Sequence, residues 1–135
     1  MTERRFPRTI DSLEGIHEFV VEFLAAQRLD PDLAFDVDLV VEELFTNMVK
    51  YSREGRNPIA VGLDLAADGI RIMVRDFDVE PYDVTRARDA GVDRPIEERR
   101  AGGLGLHLVR RIADRVEYDY RDRVSTITVL KRIAP

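Results

Sequence analysis

The spacing of the apolar residues changes along the chain from a helical period to a period of two. Between residues 13 and 48 the apolar side chains recur every three to four positions, in two stretches led by Leu13 and Val37. Both stretches predict helices with one buried face. Between residues 59 and 74 the apolar side chains alternate instead, which predicts a β-hairpin that turns at Asp68-Gly69. The chain must therefore pack helices against strands.

The ends of these elements carry their own signals. Asp11 and Glu14 have the spacing of a capping box ahead of the first helix, and Asp30-Pro31 predicts the cap and first residue of the second, which ends near Tyr51. A short edge strand is expected before the first helix. A second hairpin is expected around the sequence RDR, where apolar residues alternate on both sides. The order predicts one α+β domain over residues 1–135, a two-layer α/β sandwich with a mixed, mostly antiparallel sheet and helices on one face.

Composition excludes several classes of function. The 135 residues include no cysteine, which excludes a disulfide scaffold and a thiolate metal site and is consistent with a reducing compartment. The net charge of −5 argues against nucleic-acid binding, and no apolar run is long enough for a signal peptide or a membrane span. His17 and His107 are isolated, and each is more typical of a helix surface or core edge than of a metal ligand, because metal sites need several converging donors. We expect a cytoplasmic protein with no membrane partner.

The sequence EELFTN, residues 42–47, places a carboxylate and an amide on one shoulder of the second helix. Glu43 and Asn47 lie one turn apart beside the apolar face. An amide oxygen there suits Mg²⁺, and a carboxylate one turn away could orient or deprotonate a nucleophile. The alternative is that Glu43 simply pairs with Lys50 or an arginine at the surface.

Two further segments could bind a nucleotide. Asp76 and Asp78 stand where a buried strand ends, and a carboxylate there can accept a hydrogen bond from an exocyclic amine such as that of adenine. Gly102, Gly103 and Gly105 precede a helical pattern that begins at Leu108, and free N–H groups at a helix start can cradle phosphate. A solvated turn and a loop that needs room are the alternatives.

Taken in order, EELFTN, the Asp76 strand end with PYD, and GGLGLHLVRRIAD resemble the three nucleotide-binding boxes of one ATPase superfamily. That superfamily joins gyrase, heat-shock chaperones, histidine kinases and mismatch-repair ATPases. The short chain and the sequence GGLGLHLVR most resemble the bacterial anti-sigma-factor serine/threonine kinases. The resemblance covers roughly residues 10–132 and implies a histidine-kinase-like ATPase fold that uses ATP and Mg²⁺.

The resemblance also implies roles for residues of the first and third boxes. Glu43 matches the catalytic base of the family, and Asn47 matches its Mg²⁺ ligand. Arg99 or Arg100 could add positive charge near the transferred phosphoryl group, or could be a solvated charge cluster. The mobile phosphate lid of the family matches Gly102, Gly103, Leu104, Gly105 and Leu106.

The second box departs from the family pattern. Asp76 matches the aspartate that reads adenine, but Asp78 stands in the place of a glycine. This change predicts restricted backbone approach to the adenine and an added negative charge near the nucleotide. Ser125 or Thr126 falls where the family often has a hydroxyl near the base.

The resemblance therefore predicts an ATP-dependent protein serine/threonine kinase. Its implied partners are a small anti-anti-sigma protein of the STAS type, which it phosphorylates, a sigma factor, which it sequesters, and a second copy of itself. Because the second box is altered, an alternative is a nucleotide-responsive binding switch that performs no chemistry. A third hypothesis is an ATPase module that serves another partner.

Overall fold

The structure, a computed structural model, describes residues 1–52, 55–81 and 108–133. Its elements in chain order are β1 (Thr2–Phe6), α1 (Ser12–Ala26), α2 (Leu33–Tyr51), β2 (Ile59–Ala66), β3 (Gly69–Phe77), β4 (Arg115–Arg121) and β5 (Val124–Arg132). Residues 108–112 are also helical. The predicted helices, the edge strand and both hairpins are confirmed.

The five strands form one sheet in the order β1-β2-β3-β5-β4. The four neighbouring pairs that the structure describes are all antiparallel, and β1 lies at one edge. The predicted turn at Asp68-Gly69 is shifted by one residue, because Gly69 already pairs with Ala66 as the first residue of β3. A Cβ atom at Gly69 would lie 2.1 Å from the carbonyl oxygen of Lys131. The glycine therefore permits close approach of β5 and does not form the turn.

Both predicted helix caps are wrong in detail. Asp11 stands at the N-cap of α1 but has helical backbone angles, and its side chain makes no capping hydrogen bond. The second helix begins at Leu33, after Asp32, and not at Pro31. Asp30 instead accepts a hydrogen bond at Oδ1 from the backbone N–H of Asp32, 2.9 Å away. Such a local bond to the backbone forms a turn ahead of the helix.

The helices cover one face of the sheet and enclose the core with it. Buried and partly exposed residues alternate along β3 as the sequence predicts, whereas β2 begins with five consecutive buried residues. The buried core residues are Phe6, Ile16, Phe19, Val20, Phe23, Leu24, Val37, Val40, Val41, Leu44, Phe45, Met48, Ile59, Val61, Leu63, Ile70, Ile72, Val74, Val109, Ile127 and Val129.

The opposite face of the sheet is covered by its own long polar side chains. Arg75 pairs with Glu3, and Arg71 lies 3.4 Å from Asp64. The guanidinium groups of Arg5 and Arg75 both lie over the ring of Phe77. One face of the sheet is therefore apolar and covered by helices, and the other is charged. Only a strand residue that points to the helix side can contribute to a site beside the helices.

One ion pair joins the two helices and makes stability depend on pH. His17 Nδ1 of α1 lies 2.5 Å from Asp38 Oδ2 of α2. This hydrogen bond is the main reason why the pKa of His17 is raised above its ordinary value of 6.5. Burial raises the pKa of Asp38 in turn. Protonated His17 is bonded in the folded state only, so its contribution to stability is complete below the unfolded pKa.

We expect this contribution to disappear as the pH rises through the raised pKa of His17. The melting temperature of the wild-type protein should fall slightly between about pH 6 and about pH 8, relative to that of His17→Gln. The difference is small, because 54% of the His17 side chain is exposed. Thermal unfolding of both proteins across this range measures it. Parallel pH profiles would show that the pair contributes nothing.

Candidate functional site

A carboxylate is buried at the end of β3. Asp76 continues the inward row of Ile70, Ile72 and Val74, and its side chain is 0% exposed. A carboxylate without partners in such a place would cost several kcal/mol or would become protonated. The fold must therefore bring a partner to it.

That partner is Arg8, which lies between β1 and α1. Its Nη1 donates to Asp76 Oδ1 at 2.5 Å, and its Nη2 donates to Oδ2 at 3.1 Å. The same guanidinium donates to three backbone carbonyls at the end of α2 and beyond it, those of Met48, Ser52 and Asn57. The last carbonyls of a helix lack partners within the helix, so a cation there is favourable. Arg8 thus joins three segments of the chain around Asp76.

Arg8 is the residue that sequence reasoning missed. A buried aspartate requires a partner, but the chain offers 21 lysine and arginine residues. Arg8 and Asp76 are separated by 68 positions. No local pattern connects them, and only the tertiary structure, which packs β3 and the connection between β1 and α1 against the end of α2, brings them together.

Asn47 and Glu43 lie on α2 near the same end of the sheet. Asn47 is 2% exposed and directly precedes Met48, whose carbonyl accepts a hydrogen bond from Arg8. Glu43 is half-buried one turn earlier. The predicted shoulder of α2 therefore exists, and it runs toward the end of the helix that contacts Arg8.

The Asn47 amide on this shoulder fits a magnesium ion that also binds the phosphates of a nucleotide. Asn47 is 2% exposed, and the amide oxygen of an asparagine is a ligand that magnesium accepts. Within the described parts of the chain, no group of three or more histidine or acidic residues could hold a metal ion. In nucleotide sites magnesium commonly takes most of its ligands from phosphate and water and few from the protein.

The register of β3 and β5 distinguishes the two candidate hydroxyls. Ser125 pairs with Asp76 and Thr126 pairs with Arg75. Ser125 is buried on the helix side, where its Oγ lies 3.4 Å from the hydroxyl of Tyr118. Thr126 points to the opposite face. Only Ser125 lies with Asp76.

Asp78 adopts the backbone conformation that the family's glycine would allow. Its φ is 56°, in the left-handed region that most residues avoid. Its carboxylate is 72% exposed and accepts a hydrogen bond from Arg123 Nε at 2.7 Å. The Asp78 carboxylate thus pairs with the β4–β5 turn, and its expected negative charge beside the nucleotide stays a prediction.

The third predicted box is described only in part. Residues 108–112 are helical as expected, with Val109 in the core and the N–H of Ala113 bonded to the Val109 carbonyl at 2.8 Å. Val116, which also fits the helical pattern, belongs to β4. The lid segment Gly102, Gly103, Leu104, Gly105 and Leu106, together with Arg99 and Arg100, lies outside the described residues. In the described parts of the chain, no helix has the length and apolar character needed to cross a bilayer.

Comparison with known proteins supports this picture of the fold. A family profile described as a histidine kinase-like ATPase domain matches residues 6–131. A chain in the crystal structure of the SiaB–SiaC complex from Pseudomonas aeruginosa superposes with a TM-score of 0.66 at 18% identity. The superposition covers 96% of this chain and 88% of that one. The predicted histidine-kinase-like ATPase fold is confirmed.

Curated relatives are named as protein kinases. The serine-protein kinase RsbW of Staphylococcus aureus (strain MRSA252) is 30% identical over 104 residues, which are 73% of this chain and 65% of that protein. RsbW of Listeria innocua is 33% identical over 68% of this chain and 62% of its own length. The serine/threonine-protein kinase BtrW of Bordetella bronchiseptica is 27% identical over 76% and 73%. The matches to RsbW span less than two thirds of those relatives. The family profile, in contrast, matches nearly all of the present sequence. The chain therefore belongs to the histidine kinase-like ATPase domain family.

Proposed function

We propose that this protein is an ATP-dependent protein serine/threonine kinase. The observation that carries the proposal is the placement of Glu43 and Asn47 one turn apart on α2, at the end of the sheet where Asp76 is buried. These three residues are the base, the metal ligand and the adenine acceptor that the family resemblance implies. The kinase names of the relatives support the proposed activity, and the roles of the three residues are part of the proposal.

Each residue has a distinct task in this proposal. Asp76 accepts a hydrogen bond from the exocyclic amine of adenine, and the buried hydroxyl of Ser125 lies beside it. Asn47 holds Mg²⁺ through its amide oxygen, and the bound ion supplies positive charge to the phosphates.

Glu43 carries the proton transfer. It accepts the proton of the substrate hydroxyl while that oxygen attacks the γ-phosphorus of ATP. The bond from the γ-phosphorus to the bridging oxygen breaks, and ADP leaves with the electron pair. The backbone N–H groups of the glycine segment, residues 102–106, and Arg99 or Arg100 would stabilise charge on the transferred group.

The proposed partners follow from the family resemblance. The phosphate acceptor is a serine or threonine of a small anti-anti-sigma protein of the STAS type, and the sequestered protein is a sigma factor. The kinase acts in the cytoplasm as a homodimer. The net charge of −5 is consistent with protein partners and not with nucleic acid.

Phosphate transfer to a purified partner tests the proposal directly. The protein is incubated with labelled ATP, Mg²⁺ and the anti-anti-sigma protein encoded nearest to it in its genome. Label should appear on a serine or threonine of the partner and should be lost when Mg²⁺ is chelated. Release of free phosphate without labelled partner would point to the ATPase module instead.

A second candidate function is a binding switch without chemistry. The observation that favours it is that Arg8 already bonds both oxygens of Asp76. Calorimetry and the transfer assay together distinguish the two candidates: heat of binding with ATP or ADP and Mg²⁺, without any phosphate transfer, would favour the nucleotide-responsive switch.

A further inference from the structure

We propose that Arg8 competes with adenine for Asp76, so that residue 8 sets the nucleotide affinity of the site. This inference rests on the proposed function, because it assumes that Asp76 reads adenine. In the structure the Asp76 carboxylate is held by the chain itself. A nucleotide can reach it only after the Arg8 guanidinium has moved away.

Arg8 occupies both oxygens of the Asp76 carboxylate. Nη1 and Nη2 of Arg8 bond one carboxylate oxygen each, which is the two-pronged arrangement that makes guanidinium–carboxylate pairs strong. Asp76 is 0% exposed with Arg8 in place. The carboxylate therefore offers no accessible oxygen to an incoming amine.

Backbone groups around the Arg8 guanidinium hold it against Asp76. Nη1 also bonds the Asn57 carbonyl, and Nη2 bonds those of Met48 and Ser52. A Cβ atom placed on Gly55 would lie 2.5 Å from Arg8 Cζ and 2.6 Å from Nη2. The backbone at Gly55 thus closes over the guanidinium, and only a residue without a side chain permits this approach.

Departure of Arg8 is nevertheless physically accessible. Its side chain is 12% exposed, so water can reach it. It belongs to the short connection between β1 and α1, and Asp76 is its one charged partner among the described residues. A base that replaces it exchanges a charged donor for a neutral amine. Only the molecules in which Arg8 is withdrawn can bind nucleotide. Because these molecules are a small fraction of the total, the apparent affinity is the intrinsic affinity multiplied by that fraction.

The test compares nucleotide binding by wild type and Arg8→Ala with calorimetry. We expect Mg-ATP and ADP to bind Arg8→Ala about tenfold more tightly, because the competing group is gone. GTP, whose base presents a carbonyl where adenine has an amine, should gain much less. Inorganic tripolyphosphate should bind both proteins equally. A merely structural role of Arg8 would not produce this dependence on the base.

Two further variants serve as controls. Arg5→Ala removes a nearby arginine that lies over Phe77 on the other face of the sheet, and it should bind nucleotide as wild type does. Asp76→Ala in the Arg8→Ala background should remove the gain, because no side-chain oxygen is left to accept from the amine. If Arg8→Ala does not fold, Gly55→Ala provides the same test, since the new methyl group displaces the guanidinium and should also tighten ATP binding.

The outcomes separate the inference from the proposed function. If wild type binds ATP and Arg8→Ala binds it no more tightly, the inference is overturned while the kinase proposal stands. If ATP binds neither the wild type nor the variants, the proposed function fails and the inference fails with it. Tighter binding of ATP and ADP, without a matching gain for GTP and tripolyphosphate, supports both.

Discussion

Replacement of Glu43 by glutamine is expected to slow phosphate transfer to the protein substrate by about 10²–10⁴-fold. Glutamine has the same shape as glutamate but cannot accept the hydroxyl proton. Glu43 is half-buried on the surface shoulder of α2, so the substitution should leave the fold intact. Single-turnover transfer of labelled phosphate measures the rate, and calorimetry checks that ATP still binds.

The neighbouring residue offers a matched control. Glu42 is half-buried like Glu43 but lies toward α1. Its pKa is raised, mainly by burial and by the charge of Asp38. Glu42→Gln should retain transfer within a few-fold of wild type. Equal rates for Glu43→Gln and wild type would remove Glu43 from the mechanism.

Replacement of Asp76 by alanine is expected to lower the free energy of unfolding by about 3–5 kcal/mol. The substitution leaves the Arg8 guanidinium without its only charged partner among the described residues, in a place where it is 12% exposed. It also leaves a small void beside Ser125. Urea unfolding at neutral pH measures the loss.

A double-mutant cycle shows how much of that loss belongs to the ion pair. Arg8→Ala in the Asp76→Ala background removes the stranded charge, so the double variant should be less destabilised than the sum of the two single variants. Simple additivity would mean that Arg8 and Asp76 do not act as a pair in solution. That result would also weaken the case for competition between Arg8 and adenine.

The fold was predictable where local pattern is enough. The alternation of Ile70, Ile72 and Val74 requires a strand with one buried face, and the helical spacing from Leu13 onward requires a helix on that face. The details that failed depend on distant neighbours. Gly69 permits the backbone of β5 to approach closely and does not form the turn. Asp30 accepts a hydrogen bond from the N–H of Asp32 and does not cap α2.

The candidate site was predictable only as a set of segments. Glu43 and Asn47 follow from helical spacing, and Asp76 follows from its place at a strand end. The choice between Ser125 and Thr126 requires the register of β5, because adjacent strand residues point to opposite faces. The roles of these residues in binding and transfer stay predictions.

The sequence by itself determined the helices, the strands and the family, since hydrophobic period and motif order are properties of neighbouring residues. Tertiary structure decided what each candidate touches. It placed Arg8 against Asp76, turned Asp78 outward to Arg123, and put Thr126 on the far face of the sheet. The physical reason is that a buried charge must find its partner in space, and chain folding can bring that partner from any distance along the sequence.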